Sequence, residues 1–235
     1  MNEGTTRTAA RAGRPKYLAR RDHILNIAVS AFRQKGYSGT SMQEIGRALE
    51  RTKGSLYYYF PDKEAILYRC HERALDHILE VAREVRRASR GPAAALRHLI
   101  ERHVAIMVHE FHGTALALEV GALSGTRLEE VVKRRDRYER ILRDVIAAGV
   151  RTGAFRAVDA KLAAFAILGS INWIAQWYRP AGRLRPEDIG ASFADLFLRG
   201  LEPARRTTQR TTGRGRSTRP ATRRSRTGTR AARAR

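Results

Sequence analysis

The sequence predicts an all-α fold, and three observations carry the prediction. From Arg20 to Leu201 the apolar residues recur at intervals of three and four, the period of one buried helix face. No stretch alternates apolar and polar residues as a half-buried strand would, and no segment repeats. Glycine and proline stand where one apolar stripe stops and the next begins, at Gly36, Pro61, Gly91, Pro92 and Gly125. About nine helices follow from this punctuation.

Residues 1–19 show no hydrophobic periodicity and read as a flexible basic arm. From Arg20 a helix is expected, with Ile24, Ile27, Ala28, Ala31 and Phe32 on one face. Gly36 is placed to end it in the left-handed conformation. Thr40 or Ser41 can cap the second helix, and Glu44 lies three residues beyond Ser41, the spacing of a capping box. Met42, Ile45 and Leu49 form its inner face. A third helix is expected over 52–60. Pro61 and Asp62 break it and start a fourth, running through Ala65, Leu67 and Leu75 to about Arg87.

Beyond Gly91 and Pro92, a single stripe is formed by Leu96, Leu99, Ile100, His103, Val104, Met107 and Val108. A short helix over 114–123 precedes a break at Ser124 and Gly125. Leu128, Val131, Val132, Tyr138, Ile141, Leu142, Val145 and Ile146 mark a long amphipathic helix that closes between Gly149 and Gly153. Two more are expected over 159–178 and 186–201. The first of these is apolar nearly all round, and such a helix must be covered on more than one side. The second also carries more apolar surface than one core face needs. This predicts a homodimer joined in a two-fold four-helix arrangement through Phe165, Trp173, Trp177, Ile189, Phe193, Leu196 and Phe197. A thick monomer core is the alternative.

Charge is concentrated at the two ends. The chain carries a formal +23; twelve arginines and no acid lie beyond Glu202, and residues 1–21 hold six basic groups against one acid. Polyanions are the natural partners of such ends. From Pro203 onward no large apolar residue occurs, so the tail is expected to be disordered. No apolar run is long enough to span a membrane, and the polar N-terminus shows no secretory signal. Cys70 is alone, which excludes an internal disulfide and a multi-cysteine zinc site. A cytoplasmic, nucleoid-associated protein is expected. The chain divides into a flexible basic arm (1–19), a first helical domain (20–68), a second, larger helical domain (69–202) and a disordered Arg-rich tail (203–235).

Function is most legible over 40–63. This stretch closely resembles the helix-turn-helix of TetR-type transcriptional repressors. The residues that carry the resemblance are F-x-x-x-G-Y-x-x-T-S-M at 32–42 and T-K-G-S-L-Y-Y-Y-F-P-D-K at 52–63. In a helix-turn-helix the second helix enters the major groove with its first residues toward base edges. Here those are Thr52, Lys53, Gly54 and Ser55. Gly54 allows close backbone approach, Lys53 suits guanine or a phosphate, and Gln43 suits adenine. Tyr57, Tyr58 and Lys63 are expected on phosphates, which position the protein without reading sequence. Thr40 and Ser41 are expected to hold a phosphate at a helix N-terminus. Leu56 and Phe60 are expected to face inward, with Tyr59 part-buried against the first helix.

The turn departs from the family pattern, which has glycine and then a small apolar residue; here Glu50 and Arg51 stand there, and Glu50 would meet the cost of positive φ. In the arm, Arg14 and Lys16, followed by Arg20 and Arg21, suit a narrow minor groove; a solvated arm is the alternative.

The resemblance also implies control by a small-molecule effector. Leu99, His103, Val104, Met107, Phe111, Leu118, Tyr138 and Phe165 are candidate pocket walls, each equally explained as core. The stretch N-W-I-A-Q-W-Y-R-P-A-G at 172–182 is similar to a branch of the family that regulates fatty-acid and sterol breakdown, which implies an acyl-CoA effector. Arg134, Arg135 or Arg179 would then meet its nucleotide. No cofactor, metal set or catalytic constellation is expected, so the chain does not read as an enzyme. The competing reading is an architectural, weakly sequence-specific DNA binder acting through its basic ends.

Overall fold

The computed structural model describes residues 4–49, 53–88, 91–111 and 115–203, with backbone alone at 4–14, 53–55, 111 and 115–118. Among these residues there is no strand. Eight α-helices run α1 Gly4–Lys35, α2 Met42–Ala48, α3 Lys53–Tyr59, α4 Lys63–Arg87, α5 Pro92–Phe111, α6 Gly125–Arg151, α7 Ala160–Trp177 and α8 Pro186–Leu201. A 3-10 stretch at Ala115–Ala122 occupies the place of the short helix expected there. The Arg-rich tail and the Glu50–Arg51 turn lie outside the described residues.

The first helix corrects one expectation. It begins at Gly4, not Arg20, so the segment read as an irregular arm is helical. Periodicity reports burial, and a helix can run through residues that carry no apolar stripe. Its alanines and arginines favour helix without one. Pro15 lies inside it, where it removes a backbone donor. Just beyond that proline, Tyr17 stacks on Tyr59 at 5.2 Å and meets Tyr58 edge-on at 6.1 Å, which ties the extension to α3.

α1, α2 and α3 share a small core of Leu25, Val29, Phe32, Ile45, Leu56 and Phe60, all buried. Gly36 takes φ +75° and its N–H donates to Phe32 O at 2.8 Å, ending α1 as expected. Ser41 caps α2: its hydroxyl accepts from the Glu44 N–H at 3.2 Å while Glu44 Oε2 accepts from the Ser41 N–H at 2.8 Å. The capping box is therefore formed, and Lys35 pairs with the same carboxylate. That lysine bond and the two Ser41 bonds hold the Glu44 carboxyl at about 2.

In the larger helical region α5 is packed against α4, α6, α7 and α8, and its predicted stripe is buried. Gly190 lets α8 approach it: a Cβ there would sit 3.2 Å from Glu101 Cα. α6 closes in a hook. The chain turns at Gly153, φ +74°, and Phe155 folds back with its N–H on Gly149 O at 3.0 Å. A Cβ at Gly149 would lie 2.0 Å from that phenyl ring, so only glycine fits.

Candidate nucleic-acid interface and internal cavity

Two neighbouring helix starts form the candidate reading surface. Ser41 and Gln43 are exposed at the first turn of α2. α3 opens at Lys53, so Lys53, Gly54 and Ser55 form its first turn; their side chains, like all of Thr52, lie outside the described residues. Further along α3, Tyr57 is exposed and Tyr58 is 72% exposed, whereas Leu56 and Phe60 are buried and Tyr59 is half-buried beneath Tyr17. Consecutive residues of a helix point about 100° apart, and this separates the outward tyrosines from the inward one.

Three expected contacts take other roles. Thr40 is buried, its N–H on Tyr37 O at 3.2 Å and its hydroxyl on Gly36 O at 2.8 Å, so it closes the α1–α2 turn. Lys63 donates to Tyr37 O at 2.8 Å and Thr40 O at 2.9 Å, with its ammonium 4.3 Å from the Tyr37 ring centroid. It satisfies carbonyls that the turn leaves open, which occupies two of its three donors. Arg21 lies over the Phe60 ring at 5.0 Å and near Tyr17, a packing position. Arg20 is half-buried, Lys16 is exposed, and the Arg14 side chain lies outside the described residues.

A polar seam joins this unit to α6. Asp62 caps α4, and Arg127 grips it through both carboxylate oxygens at 2.9 and 3.3 Å. Burial alone would raise the Asp62 carboxyl, but the Arg127 bond, the Ala65 N–H and the Arg127 charge outweigh it and hold it below the usual range. Glu64 accepts from the Ser124 N–H at 2.9 Å, Tyr68 donates to Glu130, and Arg134 pairs with Asp76 at 2.6 Å.

Between α4, α5, α6 and α7 lies a cavity of about 350 Å³. His103, Met107, Tyr138 and Phe165 line it, with His71, Ile78, Ile106, Arg135, Leu168 and Asn172. Leu99 and Val104 do not reach it; both are fully buried core. The side chains of Phe111 and Leu118 lie outside the described residues. Burial, and secondarily the Arg135 charge, pull the His71 imidazole down to about 4 and that of His103 to about 3, so both are neutral at pH 7. Burial likewise lowers Arg135 from its ordinary value and raises the Tyr138 phenol. His71 was legible in principle: it continues the α4 stripe from Leu67 toward Ala74 and Ile78, where an imidazole replaces an aliphatic residue.

Two family models match the chain, one described as "Bacterial regulatory proteins, tetR family" over residues 24–70 and one as "Tetracyclin repressor-like, C-terminal domain" over 89–201. The solved structure of the TetR-family transcriptional regulator PfmR from Thermus thermophilus is 35% identical, covering 77% of this chain and 99% of that one, with a TM-score of 0.70. The chain belongs to the TetR family of transcriptional regulators. Among other TetR relatives, the transcriptional repressor KstR2 of Rhodococcus jostii (strain RHA1) is 26% identical over 192 residues, 77% of this chain and 91% of that protein. AibR, solved with isovaleryl coenzyme A and operator DNA, is 28% identical over 78% of this chain and 98% of its own, with a TM-score of 0.66. These relatives regulate transcription, and this TetR-family chain is a regulator rather than an enzyme.

The expected contact face of this TetR-family chain is partly redrawn. Trp173 is 59% exposed and Leu196 67%, with Phe165 and Trp177 also exposed. Ile189 is instead buried in the core, and Phe193 and Phe197 are half-buried against it. Leu162, not among the expected residues, is 67% exposed and extends the α7 face through Phe165 and Gly169 to Trp173. Among the described residues no helix is long and apolar enough to cross a membrane, and no group of three His, Cys, Asp or Glu is placed to hold a metal.

Proposed function

We propose that this regulator is a homodimeric repressor that leaves its operator when an acyl thioester enters the cavity. One observation carries the reading: the cavity and the reading head share α4. Its wall includes His71, Ala74, Leu75 and Ile78, and the N-terminus of the same helix begins four residues after the end of α3. A molecule that favours one setting of α4 against α6 shifts α3 as a rigid follower. It must bind the two settings with different affinity to do so. The Arg127–Asp62 pair makes α6 a second lever on the same helix start.

Dimerisation through the exposed α7 and α8 faces would set the spacing of two α3 helices, and hence of two operator half-sites. Gln43, Lys53 and Ser55 are the proposed base-reading residues, with Ser41, Tyr57 and Tyr58 on phosphates. The acyl group is proposed to occupy the cavity, with the nucleotide of the thioester outside it. Of the three arginines considered for that nucleotide, Arg134 is held by Asp76 and Arg179 donates to Tyr178 O at 3.1 Å. Arg135 is the one of the three that faces the cavity. The isovaleryl coenzyme A bound by AibR supports this effector class.

Gel-shift titration of a promoter fragment with short, branched and long acyl-CoAs tests the reading. Release by one class at micromolar concentration is expected. Unchanged binding at saturation with every class would remove the thioester. Ending the chain at Glu202 addresses the architectural alternative: sequence preference should survive without the tail.

A further inference from the structure

We propose that Ile106 sets the length of the chain that the cavity accepts: a straight hydrocarbon chain lies with its polar end toward α6 and its tail stopped by this side chain. The inference deepens the effector reading above and rests on its premise that the cavity is a ligand site.

The lining residues divide by depth. On α4 and α5, His71, Ala74, Ile78, His103, Ile106 and Met107 are buried and Leu75 is half-buried. On α6 and α7, Asp136, Phe165 and Gly169 are exposed. The cavity is therefore open on the α6–α7 side and closed on the α4–α5 side. Phe165 and Gly169 belong to the α7 face given above to the second copy. That leaves α6, with Arg135 and Asp136, as the side for a polar end. A hydrocarbon tail gains by burial and runs the other way, toward α4 and α5.

A second space begins behind that closed side. A surface cleft of about 330 Å³ lies between α4 and α5, with Val81, Glu84, Arg102, Ala105 and His109 in its lining. Among the described residues Ile106 is the one common to both linings. Helical geometry places it between them. At 100° per residue, Ile106 falls on α5 between His103 and Met107, which line the cavity, and Arg102 and His109, which line the cleft. Opposite, α4 passes from Ile78 in the cavity to Val81 in the cleft, both buried. One apolar side chain, 7% exposed, therefore stands between the two spaces. Cutting it back to Cβ joins them, and enlarging it shortens the cavity. Each methylene buried against apolar wall tightens binding roughly fourfold. Past the end of the cavity that gain stops, and a longer chain must bend or displace Ile106, so affinity falls.

Straight-chain acyl-CoAs from butanoyl to hexadecanoyl, and alcohols from butanol to dodecanol, are titrated into the full chain. Occupancy is read from the ¹³C-methyl resonance of Met107, which lines the cavity. In the wild-type chain affinity should rise roughly fourfold per methylene up to one length and fall beyond it. Ile106→Ala should move that limit outward by about two carbons or more, and Ile106→Val, a lighter loss to the core, by less. Ile106→Phe should move it inward. Val104→Ala, a deletion in fully buried core off the lining, should leave it in place. A limit unmoved in the Ile106 variants overturns the inference and leaves a thioester effector standing, as does an equal shift in Val104→Ala. Affinity that rises without limit, or no binding by either series, also overturns it. Conversely, if acyl-CoAs fail to release DNA while the alcohols show the moving limit, the effector reading falls and this inference stands.

Discussion

The hydroxyl of Thr40 donates 2.8 Å to the Gly36 carbonyl, and the Lys63 ammonium lies 2.9 Å from the Thr40 carbonyl. Both residues therefore build the platform from which others read. Thr40→Val keeps the shape and removes the bond, leaving the buried Thr40 site without its hydroxyl and the part-buried Gly36 carbonyl short of a donor. A loss of about 1–2 kcal/mol is expected, read as a lowered denaturation midpoint at unchanged m. Tyr58 is the opposite case. It is 72% exposed, and its ring meets Tyr17 and Tyr59. Tyr58→Phe keeps those ring contacts and deletes the hydroxyl. Its melting temperature should be unchanged while operator affinity falls roughly three- to tenfold, the effect of one lost phosphate hydrogen bond. A normal affinity in fluorescence anisotropy would take Tyr58 off the DNA.

At the scale of elements, helices meet at points where only a small residue fits. The hook that ends α6 brings Phe155 within 2.0 Å of where a Cβ on Gly149 would be. Gly149→Ala must therefore push the ring aside, and about 1–3 kcal/mol of stability should go with it. Paired with Phe155→Leu, the same alanine should cost less, and a double-mutant cycle measures the coupling. The α3–α4 junction is the other sensitive joint. Asp62 both caps α4 and receives Arg127. Arg127→Met leaves the cap and cuts the lever from α6. Operator affinity without effector should survive, while the effector's influence on DNA binding shrinks. Isothermal titration in the presence and absence of DNA reads that coupling free energy directly.

Over the whole molecule, two buried imidazoles link stability to pH. In the unfolded chain a histidine titrates near 6.5, whereas His71 and His103 in the fold are held at about 4 and about 3. The unfolded chain therefore binds more protons below pH 6.5, and stability falls as pH drops from 6.5 toward 4. Each histidine contributes a slope of up to about 1.4 kcal/mol per pH unit across that window. Urea melts at pH 7.5, 5.5 and 4.5 should show it, and His103→Phe should flatten part of the slope. The apolar face of α7 acts on the same scale. Trp173→Glu places a charge on a surface that is exposed in one protomer. It should leave the protomer folded, shift sedimentation toward monomer and weaken operator binding by roughly tenfold or more, since one half-site replaces two.

The sequence by itself determined what depends on neighbours along the chain. The helix starts at Ser41, Asp62 and Pro186, the left-handed stop at Gly36 and the inward Leu56 and Phe60 were all legible, because capping, glycine φ and helical period are local. The T-K-G-S-L-Y-Y-Y-F motif carried the family for the same reason. The tertiary structure alone decided which stripe residues face a cavity and which face core. Leu99, His103, Val104 and Met107 share one helix face, yet of these four only His103 and Met107 reach the space left between α4, α6 and α7. It also decided that Lys63 turns back on residues 37 and 40, and that α1 runs on past Tyr17, which stacks on Tyr59. These outcomes depend on residues far apart in sequence, and a periodic pattern records that a side chain is buried without recording what it is buried against.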